Sequence, residues 1–71
     1  MEQEIRRNLA HNLRVERAKK ELSQENLAEL AGISAKHLTK IENEKVTPSV
    51  YMVYRLAKVL NTTIDNLCDK F

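Results

Sequence analysis

Residues 23–42, SQENLAELAGISAKHLTKIE, hold two short helical patterns separated by one break. Ser23 is a typical helix N-cap, because its hydroxyl can accept a hydrogen bond from an early backbone amide of the helix that follows. The apolar residues of that helix recur on one side of it: Leu27, Ala28 and Ala31. Gly32 ends the helix, since glycine takes the left-handed conformation at little cost. Because only Ile33 precedes the next cap, Ser34, the two helices are predicted to meet at a sharp angle through a turn of about three or four residues.

The second helix of this pair separates apolar from polar residues. Leu38 and Ile41 are three positions apart and therefore share its inner face. The outer side is predicted to carry the other residues of its first turns: Ala35, Lys36, His37 and Lys40. The two helices and their turn form a helix-turn-helix unit, and the outward residues are the first candidates for a functional site.

Apolar spacing predicts a helix before this unit and two after it. The first covers about residues 4–20 on a stripe that repeats every four positions: Ile5, Leu9 and Leu13. After Pro48, Ser49 can cap a fourth helix. Asn61 is predicted to end that helix in the left-handed conformation, and Thr63 to cap a short fifth helix.

Composition agrees with this pattern. The 71 residues include one Gly and one Pro, too few for a series of hairpin turns, whereas helix-forming residues dominate. A chain of this length buries only about 60% of the surface that its unfolded form exposes, so its core must be compact. An aromatic content of 4% makes that core aliphatic. We therefore expect an all-α, compact five-helix fold, with residues 1–71 as a single domain.

The chain is expected to act in the cytoplasm. Cys68 is its one cysteine, so no internal disulfide can form, and a single thiol suits a reducing compartment. No apolar run approaches the roughly 18 residues of a membrane helix. The first residues, MEQE, do not resemble a signal peptide.

The net charge of +2 conceals an alternation along the chain. Residues 1–20 hold six Lys or Arg against three Glu, and residues 34–60 hold five against two, so each block carries +3. Residues 21–33 hold three Glu and no cation, which gives −3. A fold that turned both basic blocks to one side would have a basic face for phosphate and an acidic back. Ordinary solvated helix faces are the alternative interpretation.

The chain resembles the lambda-repressor-like family, also called the Xre or Cro-type helix-turn-helix, over about residues 9–67. The resemblance rests on five elements in family order: Leu22-Ser23-Gln24, Leu27-Ala28 to Gly32-Ile33-Ser34, Ile41-Glu42-Asn43, Pro48-Ser49, and Leu56-Ala57 to Leu60. The family includes phage repressors, restriction-modification controllers and antitoxins. It implies a sequence-specific regulator of transcription that binds double-stranded DNA, expected here to be a repressor.

The resemblance implies that bases are contacted from the start of the third helix and one turn later, by Ser34, Ala35, Lys36, His37 and Lys40. Lys36 and Lys40 can donate to guanine O6 and N7, and Ala35 can contact a thymine methyl. We therefore expect half-sites that contain G and T. His37 can donate to a base or reach a phosphate, and simple solvation is equally open.

Phosphate contacts are implied for Gln24 at the start of the second helix and for Asn43 and Lys45 in the loop after the third. Arg14 on the first helix is a further candidate, as are Arg6 and Arg7 on the same helix. For each residue the alternative is an exposed side chain without a contact.

The resemblance also implies an ion pair with a structural role, in which Arg17 ties the first helix to Glu42 at the end of the third. Glu44 departs from the family, because glycine is common at its position. Either Glu44 takes the left-handed conformation or the loop is reshaped, and its carboxylate would face the DNA backbone and oppose a Lys45 contact. Asn61 at another common glycine position is a milder change.

A homodimer is expected, because one copy reads only about 4 to 6 base pairs and readers of this type pair with recognition helices about 34 Å apart. Apolar residues around the fifth helix are the predicted interface: Val59, Leu67, Cys68 and Phe71. In the alternative, Phe71 folds back onto its own chain.

Catalysis is not expected. The sequence has no glycine-rich phosphate loop and no nucleophile elbow, and His11, His37 and Cys68 lack the spacing of metal ligands. No metal or cofactor is therefore predicted. The rival to DNA binding is a protein-interaction module, or an antitoxin-type protein, whose basic third helix meets an acidic partner. A steep fall of DNA affinity with salt would separate the two.

Overall fold

The computed structural model describes all residues from Met1 to Phe71. It contains five α-helices and no strand. In chain order these are α1 (Glu2–Lys19), α2 (Gln24–Ala31), α3 (Ala35–Glu42), α4 (Val50–Leu60) and α5 (Ile64–Cys68). The all-α prediction with five helices is confirmed, and α1 begins two residues earlier than the apolar stripe indicated.

Four of the five helices begin at the caps that local sequence predicted. These caps are Ser23, Ser34, Ser49 and Thr63. The side-chain oxygen of each accepts a hydrogen bond of 3.0 or 3.1 Å from the backbone N–H three residues later. Each bond satisfies an amide that has no partner inside the helix. These four caps therefore set the starts of α2, α3, α4 and α5.

Two helices end on left-handed residues, as predicted. Gly32 follows α2 with φ 74°, and Asn61 follows α4 with φ 56°. The guanidinium of Arg55 from α4 lies against Gly32, so a Cβ at this position would displace the end of the Arg55 side chain. The left-handed conformation of Gly32 therefore favours glycine at the sharp turn between α2 and α3.

The core is aliphatic and lies between α1 and the other four helices. It consists of Leu9, Leu13, Leu27, Ala28, Ala31, Leu38, Ile41, Val53, Leu56, Ala57, Leu60 and Leu67. Ile5 is 37% exposed, so the predicted stripe of α1 is buried only from Leu9 onward. Leu67 is fully buried, and its assignment to a dimer interface is therefore wrong. Since α5 has five residues, its leucine is needed to attach it to the core.

Side-chain amides of α1 hold the end of α5. The Asn12 Nδ2 group donates to the carbonyl oxygens of Leu67 at 2.8 Å and Asp69 at 2.9 Å, and Asn8 Nδ2 donates to that of Cys68 at 3.3 Å. These bonds satisfy carbonyls that a helix of five residues leaves open. None of the helices is both long and apolar enough to cross a membrane.

Candidate nucleic-acid interface

The start of α3 places most of the predicted base-contacting residues at the surface. Ser34, Lys36 and Lys40 are exposed, and His37 is half-buried. Ala35 is also half-buried and packs against the core cluster. Its expected position on the outer side is therefore only partly correct, because α3 sits deep enough for the first turn to touch the interior.

Lys36 and Lys40 are one helical turn apart, so they point from the same side of α3. Neither ammonium group belongs to an ion pair of the chain, whose three pairs are Arg6–Glu2, Arg17–Glu42 and Lys19–Glu16. Leu38 and Ile41 are buried on the opposite side. The exposed side of α3 therefore carries two cations without ion-pair partners, and the opposite side of the helix packs into the core.

The Arg17–Glu42 pair is present and has two bonds. Arg17 Nε lies 3.0 Å from Glu42 Oε2, and Arg17 Nη2 lies 3.1 Å from Glu42 Oε1. The Arg17 Nη1 group also donates to the Leu22 carbonyl at 3.0 Å. Because the Glu42 side chain is 1% exposed, this carboxylate depends on its donors inside the protein. The pair joins α1 to the end of α3 and to the segment that enters α2.

The Gln24 side chain is bonded at both ends of its amide. Its Nε2 group donates to Glu42 Oε1 at 2.8 Å, and its Oε1 accepts from the Thr39 hydroxyl at 2.9 Å. Gln24 is therefore half-buried and hydrogen-bonded, not merely an exposed residue at the start of α2, and its phosphate contact stays a prediction. Sequence reasoning missed Thr39, although a β-branched polar residue between buried Leu38 and Ile41 was a usable signal.

The loop after α3 is tied to α1 at two points. Arg14 Nη1 donates to the Glu42 carbonyl at 2.6 Å. Arg6 Nε donates to the Thr47 hydroxyl at 2.6 Å, and that hydroxyl donates to Glu2 at 2.8 Å. This bond, together with the Arg6 charge, lowers the pKa of Glu2. Arg14 thus lies beside the start of the loop that was predicted to contact phosphate.

The loop itself settles the question raised by Glu44. Glu44 takes the left-handed conformation with φ 62°, directly after Asn43. The chain then turns so that the Lys45 amide donates to the Lys40 carbonyl at 2.9 Å. Asn43 and Lys45 are both exposed. A non-glycine residue in this region carries backbone strain.

Replacing Glu44 with glycine is expected to raise the free energy of unfolding by about 1 kcal/mol, because glycine removes the left-handed strain. The greater freedom of glycine in the unfolded chain offsets part of that gain. Glu44→Ala is the matched control, since it removes the carboxylate but keeps a Cβ in the same conformation. Urea unfolding of both variants measures the difference. A Gly variant no more stable than the Ala variant would contradict the strain argument.

The predicted interface residues are not one continuous patch. Val59 and Cys68 are half-buried, and Phe71 is 66% exposed with its ring stacked on His11, 3.7 Å between centroids. An apolar groove is lined by Ile5, Leu9, Thr47, Pro48, Val50, Val53, Ile64 and Cys68. Val59 is nine positions after Val50, about 180° around α4, and therefore lies away from this groove.

The Cys68 thiol is a packing group at the edge of that groove. Its burial, followed by the nearby charges of Asp69 and Asp65, raises the pKa of Cys68. A thiol that stays protonated is a poor nucleophile and metal ligand.

The five helices and the sharp turn between α2 and α3 define a helix-turn-helix protein. Residues 13–67 match the profile of the helix-turn-helix family HTH_3. The chain is 34% identical over 64 residues to the control protein C.SmaI of Serratia marcescens, covering 90% of this chain and 76% of that protein. It is 35% identical over 51 residues to an uncharacterized HTH-type transcriptional regulator of Archaeoglobus fulgidus, with coverages of 72% and 73%.

Solved structures agree with these relatives. The hypothetical transcription factor NHTF from Neisseria superposes with a TM-score of 0.90 at 28% identity, over 96% of this chain and 76% of that one. The clp gene regulator ClgR of Corynebacterium glutamicum shares the fold, with a TM-score of 0.83 at 24% identity, over 89% and 67%. The chain belongs to the HTH_3 family of helix-turn-helix transcriptional regulators, which are DNA-binding proteins and not enzymes.

Proposed function

We propose that this chain is a sequence-specific repressor that acts in the cytoplasm and reads the major groove of duplex DNA through α3, as a homodimer. The observation that carries the proposal concerns the two ammonium groups of Lys36 and Lys40. They lie without ion-pair partners on the exposed side of α3, whose opposite side is buried in the core. An α-helix fits the major groove, and its exposed donors can reach base edges there.

The base-reading roles follow from the chemistry of each residue. Lys36 and Lys40 donate to guanine, and Ala35, being half-buried, offers only the exposed part of its methyl group to a thymine. The Ser34 hydroxyl caps α3 through its oxygen and keeps its own hydrogen for an acceptor. His37 has a share of exposed surface beside them. The expected half-site contains G and T.

The phosphate-contacting roles use donors that the fold leaves free. Arg14 donates one N–H to the Glu42 carbonyl. A guanidinium has five N–H donors, so four remain for other acceptors. Gln24 keeps one of its two Nε2 hydrogens, and its backbone N–H opens α2, where helix amides favour anions. Asn43 and Lys45 add an amide and a cation in the exposed loop. Such contacts position a protein on DNA without reading sequence.

Selection of bound sites from a random pool of duplex DNA tests the proposal. A dimer should enrich two half-sites, related by two-fold symmetry, whose centres are about one helical turn apart or a multiple of it. The affinity for the enriched site should fall steeply as salt is raised. A pool without enrichment, together with no salt-dependent binding to duplex DNA, would favour the rival partner-binding module.

We propose that the apolar groove beside α4 and α5 is the dimer interface, in place of the patch that included Leu67. Val50 lies in this groove and is 73% exposed, although it is a large apolar residue. Cys68 lines the same groove, so this part of the earlier prediction is retained. A two-fold contact would bury both copies of the groove against each other.

Val50→Glu is expected to convert the protein to monomer at tens of micromolar, because it places a charge in a surface that must be desolvated. Folding should survive, since residue 50 is exposed and opens α4, where an acidic side chain suits the helix dipole. Leu30→Glu is the matched control, as Leu30 is 62% exposed on α2, outside the groove. Sedimentation equilibrium measures both. A monomeric wild type would contradict the dimer, and a dimeric Val50→Glu would contradict this interface.

A further inference from the structure

We propose that Thr39 is a positioning residue for DNA binding, whose hydroxyl holds the Gln24 side-chain amide in the orientation that leaves one Nε2 hydrogen free for a phosphate. The proposal rests on the proposed function, because it concerns how Gln24 meets DNA. Thr39 itself has no predicted contact with bases or phosphates.

The Glu42 carboxylate decides which way the Gln24 amide faces, and Thr39 bonds its other end. The Glu42 carboxylate can only accept, so the amide nitrogen must be the end that lies 2.8 Å from it. The amide oxygen then lies at the other end, 2.9 Å from Thr39 Oγ1, which has a hydrogen to donate. A flipped amide would place its oxygen against the buried Glu42 carboxylate, and two acceptors cannot share a hydrogen bond. Only one orientation of the Gln24 side-chain amide is therefore compatible with the Glu42 carboxylate.

The Glu42 bond alone would not fix the amide. One hydrogen bond leaves the plane of the amide free to turn about the line between Nε2 and Oε1 of the carboxylate. The second bond, from Thr39 at the opposite end, removes that freedom. The remaining Nε2 hydrogen then points in one direction before DNA arrives, and a donor that is already ordered loses less entropy on binding.

Thr39 is well suited to hold another side chain. Its branched Cβ restricts χ1 in a helix, and its hydroxyl also lies 3.0 Å from the Ala35 carbonyl one turn earlier in α3. The single hydroxyl hydrogen is thus shared between the Ala35 and Gln24 oxygens. Through this group the start of α2, proposed to contact phosphate, is joined to the first turn of α3, proposed to contact bases.

The test compares Thr39→Val, which removes the hydroxyl at nearly constant shape, with Thr39→Ser, which retains it. Thr39→Val is expected to weaken binding by about three- to tenfold on selected and unrelated duplexes alike, the size of one lost hydrogen bond. Thr39→Ser should bind like the wild type. In NMR spectra, the Gln24 side-chain NH2 resonances, identified by their absence in Gln24→Ala, should move toward those of an exposed glutamine in Thr39→Val and stay in place in Thr39→Ser.

A double variant separates a role through Gln24 from a merely structural one. When Gln24→Ala is already present, adding Thr39→Val should change DNA affinity no further, because the side chain that Thr39 positions is gone. A full additional loss in that background would overturn the proposal, as would wild-type affinity in Thr39→Val alone. If the wild-type protein does not bind duplex DNA, both the proposed function and this proposal are wrong. If the wild-type protein binds DNA and the Thr39 variants bind it equally well, only this proposal is wrong.

Discussion

Replacing Arg17 with methionine is expected to lower the free energy of unfolding by about 3 kcal/mol, because it breaks a buried ion pair. The Glu42 side chain is 1% exposed and receives two bonds from Arg17. Without them a buried carboxylate keeps only the Gln24 amide as a side-chain donor. A domain of this size has only about 3–5 kcal/mol of stability from its core, so the variant should be close to unfolding at room temperature.

Urea unfolding measures this loss, and Arg7→Met is its control. Arg7 is an exposed arginine on the same helix, so the control removes an equal charge and side-chain length. Adding Glu42→Leu to Arg17→Met should restore part of the stability, because it removes the charge that had been left without a cation. If the two changes proved simply additive, the destabilisation would have another origin than the buried carboxylate.

Lys36→Ala is expected to cost about 1–3 kcal/mol of binding free energy on the selected DNA site and to relax the preference at one base position. Lys36 is exposed in the first turn of α3 and has no acidic partner in the chain, so its ammonium group is available to a guanine. Titration of the selected duplex and of duplexes changed at one position measures both effects.

Two control variants distinguish base reading by Lys36 from a general loss of positive charge and from a phosphate contact. Lys20→Ala removes the same charge from an exposed position at the end of α1, outside the interface, and should alter binding little. Gln24→Ala removes a proposed phosphate contact and should weaken every sequence similarly. If Lys36→Ala also lowered every sequence equally, its role in reading bases would be wrong.

The order and starts of the helices could be predicted because their causes are local. A cap such as Ser23 or Ser34 bonds an amide three residues away, and Gly32 or Asn61 ends a helix by its own backbone conformation. These interactions lie within one or two helical turns of sequence. Motif spacing added the Arg17–Glu42 pair, whose partners are far apart in the chain, through resemblance to a family.

Burial was decided only when helices packed on one another. Leu67 and Val59 are equally apolar in the sequence, yet one is enclosed between α5 and the core while the other stays half-exposed on α4. Ala35 lies partly inside for the same reason. The buried fraction of a side chain depends on how closely other helices pack against it. The spacing of apolar residues in the sequence shows which side of a helix is apolar, but not how close the other helices come.

The sequence by itself determined five helices, a sharp turn after α2 and a set of cations at the start of α3, because these features arise from neighbouring residues. The tertiary structure decided which of the outward residues are free and how Gln24, Thr39 and Glu42 meet. Those three residues come from two helices and lie up to 18 positions apart in the chain, and hydrogen bonds between them form only when both helices are docked in one arrangement.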